Sequence, residues 1–112
     1  MEEIMGEPET VEVTGVVATL DRVDGVRRFV VQNLGESSAF DVRFDVAAER
    51  EKNDPVSAAD LRRAFPVKEL RSGESVSVAA IITPGTGLHF RGVVTWKSPE
   101  GADEERVFYM SA

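Results

Sequence analysis

His89 is the only imidazole in this chain of 112 residues, and there is no cysteine. Those two counts narrow the chemistry on offer. Without thiolates there can be no disulfide, no thiol nucleophile and no sulfur-ligated metal. One histidine cannot build a multi-histidine metal centre. A catalytic histidine needs a nucleophile to deprotonate and a carboxylate to orient it. No Gly-x-Ser-x-Gly phrase accompanies His89, so it is expected as a surface residue on the wet side of its strand.

The carboxylates offer two further candidates. Asp41 and Asp45 flank Arg43 at two-residue spacing. Paired carboxylates can exchange protons or hold a cation. A guanidinium between them favours the plainer reading, a solvent-facing strand with alternating charges. Glu100, Asp103, Glu104 and Glu105 crowd the last hairpin. A calcium loop orders its ligands as Asp-x-Asp-x-Asp-Gly, and these lack that order. They are expected in a solvated turn that could serve as a secondary contact for a basic partner.

The basic residues supply even less. Arg27-Arg28 and Arg62-Arg63 are the paired cations, and neither is interleaved with the aromatics that single-strand binding uses. Pro84-Gly85-Thr86-Gly87 lacks the Lys-Ser/Thr sequel of a phosphate loop and opens no helix. The reading is therefore of a non-enzyme with no cofactor and no metal.

The elements that position these residues are mostly strands. Seventeen valines and six phenylalanines stand against five leucines, and β-branched and aromatic residues suit a pleated, half-buried surface. Phe40, Val42, Phe44 and Val46 alternate with Asp41, Arg43 and Asp45, which is strict period two. Phe29 and Val31 alternate with Arg28, Val30 and Gln32. Val76, Val78, Ala80 and Ile82 form another such row. Leu88, Phe90, Gly92, Val94 and Trp96 are expected to face inward, opposite His89, Arg91, Val93, Thr95 and Lys97. A short run from Arg106 to Met110 ends the chain. Val67 to Leu70 would make a short edge strand. The first run, Val11 to Leu20, loses phase at Gly15, where a bend is expected. Asp24-Gly25 reads as a tight hairpin turn.

One segment carries helix signals instead. Ser57 can cap a helix over residues 57–65, with Asp60 three residues on. Ala58, Leu61 and Phe65 would share its buried face, Arg62 and Arg63 suit its last turn, and Pro66 stops it. Such a helix could carry the chain from one sheet to the other.

About seven short strands punctuated by turns describe an all-β, immunoglobulin-like antiparallel β-sandwich with one short inserted helix. A small closed barrel is the alternative. The domain is expected over residues 11–112, behind a flexible acidic tail at 1–10.

A resemblance agrees with this pattern. Residues 29–42 contain Val31, Asn33, Gly35, Ala39, Asp41 and Val42. They resemble the V-x-N-x-G-x-x-x-A-x-D-V phrase of bacterial immunoglobulin-like domains of the cell-adhesion-related (CARDB) type. Leu70, Gly73 and Glu74 are similar to that family's L-x-x-G-E approach to its fifth strand. Val94-Thr95-Trp96-Lys97 with Gly101 is similar to its last hairpin. The likeness spans roughly residues 26–110 and implies a fold, since such sandwiches host many roles.

Function then falls to surfaces. Val30, Val93, Val107 and Tyr109 are apolar residues in phase with outward faces, and a contiguous apolar patch marks an interface. The expectation is an interaction or accessory module that binds a protein partner, or itself, through a sheet face or an edge strand. The alternative is a carbohydrate or small-ligand module using loop ends and an exposed aromatic, for which Trp96 is the candidate. Core packing is the default expectation for Trp96.

The net charge of −7 argues against nucleic acid, which requires a basic footprint. It is also concentrated: residues 1–10 and the last hairpin hold eight of the 20 acids, leaving 12 acids against 13 bases elsewhere. The longest clean apolar run falls far short of the ~20 residues of a spanning helix, so no membrane insertion is expected. A complete chain would be cytoplasmic. Removal of an export or anchor segment would leave an extracytoplasmic location open.

Overall fold

The computed structural model describes residues 15–112. The expected acidic tail and residues 11–14 of the first run lie outside the described residues. The elements follow in the order β1 (Val16–Val23), β2 (Val26–Asn33), β3 (Ala39–Ala48), α1 (Ala58–Ala64), β4 (Val67–Leu70), β5 (Ser75–Ala79), β6 (His89–Lys97) and β7 (Asp103–Ser111). Two antiparallel sheets result, ordered β1-β2-β5 and β4-β3-β6-β7. The fold is an all-β sandwich with one short helix. Among the described residues, no helix is long and apolar enough to cross a membrane.

Period two builds the core. Phe29 and Val31 come from β2, Val42, Phe44 and Val46 from β3, Phe90 and Val94 from β6, and Met110 from β7. The Phe29 ring meets Phe90 edge-on at 5.7 Å and Phe44 at 6.1 Å, while Phe44 meets Phe65 at 5.8 Å. Tilted and T-shaped pairs of this kind set the positive edge of one ring against the negative face of another. Gly92 shares the inward row of β6. A Cβ there would lie 3.1 Å from the Phe44 ring and 2.8 Å from Met110 Cε, so the missing side chain is what those two residues fill.

The turns follow their sequence chemistry. Val23 pairs directly with Val26, and Asp24 and Gly25 both take positive φ, 51° and 81°. Two consecutive positive φ values give the hairpin turn whose twist matches the strands it joins. Gly15 has φ 82° at the start of β1, where a bend was expected.

Four expectations change. First, the row beginning at Phe40 breaks at its first member. Phe40 pairs with Lys97 and Arg43 with Thr95, so three steps along β3 match two along β6. Asp41, with φ 50°, takes up the extra residue. A one-residue slip exchanges the faces. Ala39 therefore turns into the core, and Phe40 lies with Lys97 and Glu69 on the outer face.

Second, α1 does not carry the chain between sheets. It leaves β3 and returns to β4, its neighbour in the same sheet, while packing against β5 of the other. Ser57 Oγ accepts a hydrogen bond from the Asp60 amide at 3.3 Å, as the capping pattern predicts. Leu61, Ala64 and Phe65 provide the packed face, and Ala58 is exposed. In so short a helix the contact is concentrated in the last turn.

Third, the last strand starts at Asp103 rather than Arg106. Asp103, Glu104 and Glu105 belong to a strand paired with Lys97, Trp96 and Thr95, and only Glu100 remains in the turn. Fourth, Leu88 is exposed at 56%, because the inward row of β6 begins one residue after the strand does, at Phe90.

Candidate functional site

The predicted surface residues divide between the two sheets. On the outer face of β6 and β7, Val93 stands directly opposite Val107, and Tyr109 lies two residues along, opposite Arg91. Direct cross-strand neighbours have Cβ atoms about 5 Å apart, so these side chains form one group. Val107 is 37% exposed and Tyr109 71%. Val30 lies between Thr19 and Ser77 on the outer face of the other sheet. It cannot join the group. Alternation in a sequence tells inward from outward, and it is silent on which sheet the outward face belongs to.

The position of β7 in its sheet adds backbone chemistry to this face. Among the described residues, no strand pairs with its outer edge. The Ala112 amide donates to the Leu88 carbonyl at 2.9 Å. Antiparallel pairing alternates, so even-numbered residues of β7 direct their amides and carbonyls to β6. Glu105, Val107 and Tyr109 then direct theirs away from the sheet. The residues with outward side chains thus also carry the backbone groups that no strand among the described residues takes up.

Protein sheets normally blunt such edges with shortness, charge or a cover. The other three edges here each show at least one of these devices. β4 has four residues, with Lys68 and Glu69 exposed. β5 has five and is packed by α1. β1 buries its first three residues and carries Asp21 and Arg22 in its second half. β7 has nine residues and lies beside β1 of the other sheet without pairing to it. Its charges end at Arg106, and Val107-Phe108-Tyr109-Met110 follow with none.

The acidic end of β7 borders a shallow recess of about 260 Å³ lined by Asp41, Arg43, Trp96, Lys97, Asp103 and Glu105 among others. Charges of both signs are paired there. Lys97 Nζ donates to Asp103 Oδ1 at 2.6 Å, and Arg43 Nη2 lies 3.2 Å from Asp41 Oδ1. The Asp103 hydrogen bond and charge raise the Lys97 pKa above its ordinary value, with Asp41 adding to the effect. Asp45 makes no pair with Asp41: it stands opposite Val93, beyond the bulge.

The remaining candidates make local contacts. His89 is exposed, with Nδ1 3.1 Å from Ser111 Oγ, its cross-strand neighbour. That is a distance at which a base can activate a hydroxyl. Among the described residues, no carboxylate hydrogen-bonds the other ring nitrogen, so the orienting third group is missing. Trp96 is half-buried against the core, and the Arg106 guanidinium lies 6.0 Å from its ring centroid, within cation–π range. The Pro84-to-Gly87 loop closes on itself: Thr86 Oγ1 donates to the Thr83 carbonyl at 3.0 Å and accepts from its amide at 2.9 Å.

Arg28 and Arg63, one from each basic pair, line a common groove of about 320 Å³. The sequence gives no sign of that meeting. Both cations are engaged, Arg28 Nε by Ser77 Oγ at 2.8 Å and Arg63 by Asp60.

Asn33 was not among the predicted site residues, yet it is the one buried amide side chain, 1% exposed. Its Nδ2 donates to the carbonyls of Ser37 and Leu70 at 2.9 and 2.8 Å, and its Oδ1 accepts from the Gly35 amide at 2.9 Å. Its backbone carbonyl takes the Gly73 amide at 2.8 Å. The Asn-x-Gly phrase is therefore a clasp that joins the β2–β3 and β4–β5 connections.

No protein-family model, curated protein or solved structure matches the chain.

Proposed function

We propose that this chain is a non-enzymatic interaction module of the immunoglobulin-like sandwich type, which binds protein by strand addition along β7. The exposed edge carries this reading: a nine-residue edge strand whose second half is uncharged and without a partner among the described residues. An added strand would take up the outward amides and carbonyls of Glu105, Val107 and Tyr109. Main-chain hydrogen bonds of that kind give affinity, and alternate side chains give specificity. Val93, Val107 and Tyr109 supply the apolar contacts. Asp103 and Glu105, at the strand's start, favour a partner that is uncharged or basic there.

The test compares capture by immobilised protein from lysate of the native host. Three single variants are used: Val107→Lys, Tyr109→Lys and, on the opposite sheet, Val30→Lys. The reading expects a captured protein that is lost with the two β7 variants and retained with Val30→Lys. Capture insensitive to β7, or no association of the unaltered chain with any protein, its own copy included, overturns it.

A further inference from the structure

We infer that the partner for the β7 edge is a second copy of this chain, paired antiparallel about a two-fold axis through Val107. The inference rests on the reading of β7 as the binding edge and adds occupant and register.

Three features of β7 lead to it. The first is length. β7 runs from Asp103 to Ser111, so Val107 is its midpoint. A two-fold there overlaps the whole strand, pairing Val107 with Val107, Glu105 with Tyr109, and Asp103 with Ser111. The second is hydrogen-bond phase. Two strands can join only where outward-facing amides and carbonyls oppose each other. Glu105, Val107 and Tyr109 all direct theirs outward, and this axis sets each opposite another member of that set.

The third is charge. Parallel pairing would set Asp103, Glu104 and Glu105 against their own copies, and like charges directly opposite destabilise a sheet. Antiparallel pairing puts the two Asp103 residues eight positions apart, about 27 Å at ~3.4 Å per residue, and the two Glu105 residues four apart, about 14 Å. Both distances exceed the screening length of about 8 Å at physiological salt. Each acidic end then meets the other copy's uncharged end. The Glu105 carboxylate stands opposite the Tyr109 phenol, a donor it can accept from. On the outer face, the Val93–Val107 pair of one copy meets that of the other at the axis. The product is one eight-stranded sheet, β4-β3-β6-β7 continued through the second copy.

The absence of cysteine gives a clean test of register. Three single-cysteine variants are made: Val107→Cys, Glu105→Cys and Tyr109→Cys. Directly opposed residues in a sheet lie within disulfide reach, with Cα atoms about 5.5 Å apart. In a thiol–disulfide buffer, Val107→Cys is expected to form a disulfide-linked dimer by itself. Glu105→Cys and Tyr109→Cys should each give little alone and a mixed dimer when combined. Sedimentation of the unaltered chain over rising concentration should show a monomer–dimer equilibrium. Val107→Lys should shift it to monomer while circular dichroism shows the sandwich intact.

A strict monomer at millimolar concentration overturns the inference. So does cross-linking of Val107→Cys to Tyr109→Cys in preference to itself, which would mean another register. A monomer that still captures a protein through Val107 defeats self-pairing and leaves the proposed function standing. Indifference to Val107 in both assays defeats both.

Discussion

Replacing Asn33 by Asp changes one atom type and should cost a large share of the fold's stability. The Asn33 Nδ2 donates to two carbonyls, those of Ser37 and Leu70, inside a site 1% exposed. Aspartate keeps the oxygen that accepts from Gly35 and sets a second oxygen against both carbonyls. Two hydrogen bonds at about 1 kcal/mol each are lost, and a buried group left unsatisfied adds roughly 1–3 kcal/mol. The total at neutral pH is about 3–5 kcal/mol, against a typical whole-domain stability of about 5–15 kcal/mol. At about 4–8 °C per kcal/mol for a domain near this size, the midpoint should fall by at least ~12 °C.

The penalty has a predicted pH dependence. Burial and two facing carbonyls disfavour the ionised form, so the folded carboxyl pKa is raised above the unfolded value of about 3.9. A raised folded pKa means that stability is greatest below the unfolded value and declines as pH rises towards the folded one. Below about pH 3.9 the protonated acid can donate to one carbonyl, and the gap to the unaltered chain should narrow. Urea titrations of both proteins, followed by circular dichroism at matched pH, give the difference directly. A loss under about 1 kcal/mol at pH 7, the size of one ordinary net hydrogen bond, or a gap that widens on acidification, would refute the clasp.

Three further outcomes follow from the geometry. Phe44→Ala should lose about 3–5 kcal/mol in urea unfolding, as buried Phe truncations do, and Phe40→Ala distinctly less, because that ring is half-buried on the outer face; similar losses would deny the bulge at Asp41. Gly92→Ala presses a Cβ towards Phe44 and Met110 and should cost about 1–3 kcal/mol by overpacking; an unchanged midpoint would show that the Met110 end moves aside freely. The Lys97 side chain should titrate above the ordinary 10.5 when followed by carbon-detected NMR, and return towards it in Asp103→Asn. Because that folded pKa is raised, the contact contributes at neutral pH and fades only as pH climbs through the raised value.

The sequence holds the faces of the strands more firmly than their arrangement. Phe29, Val31, Val42, Phe44, Phe90 and Val94 are all in the core that period two predicts, because burying one face of a pleated strand needs no knowledge of its neighbours. The helix is legible for a similar reason: cap, apolar face and terminating proline act within one segment. Phe40 escapes because a bulge is a mismatch between two strands. A sequence read along one strand shows the hydrophobic row and not the count on its partner. Asp41 adopting positive φ is a conformation that aspartate tolerates better than most residues, so even that clue is ambiguous in the letters alone.

The candidate site escapes for a deeper reason. Val30, Val93, Val107 and Tyr109 look alike in a sequence, each an outward apolar residue. What separates them is sheet order, since β2 lies inside its sheet and β7 at the margin of its own. An outward valine on an inner strand presents only a side chain. The same valine on an edge presents a side chain together with an amide and a carbonyl that no strand among the described residues takes up. Such an edge ordinarily carries a guard, and here the charges of β7 guard its first four residues and stop. If that strand had been selected only to fold, a lysine at Val107 or Tyr109 would cost the core nothing, for neither side chain enters it. Leaving both positions apolar is what the proposed association along β7 requires, and the midpoint placement of Val107 is what the proposed pairing with a second copy requires.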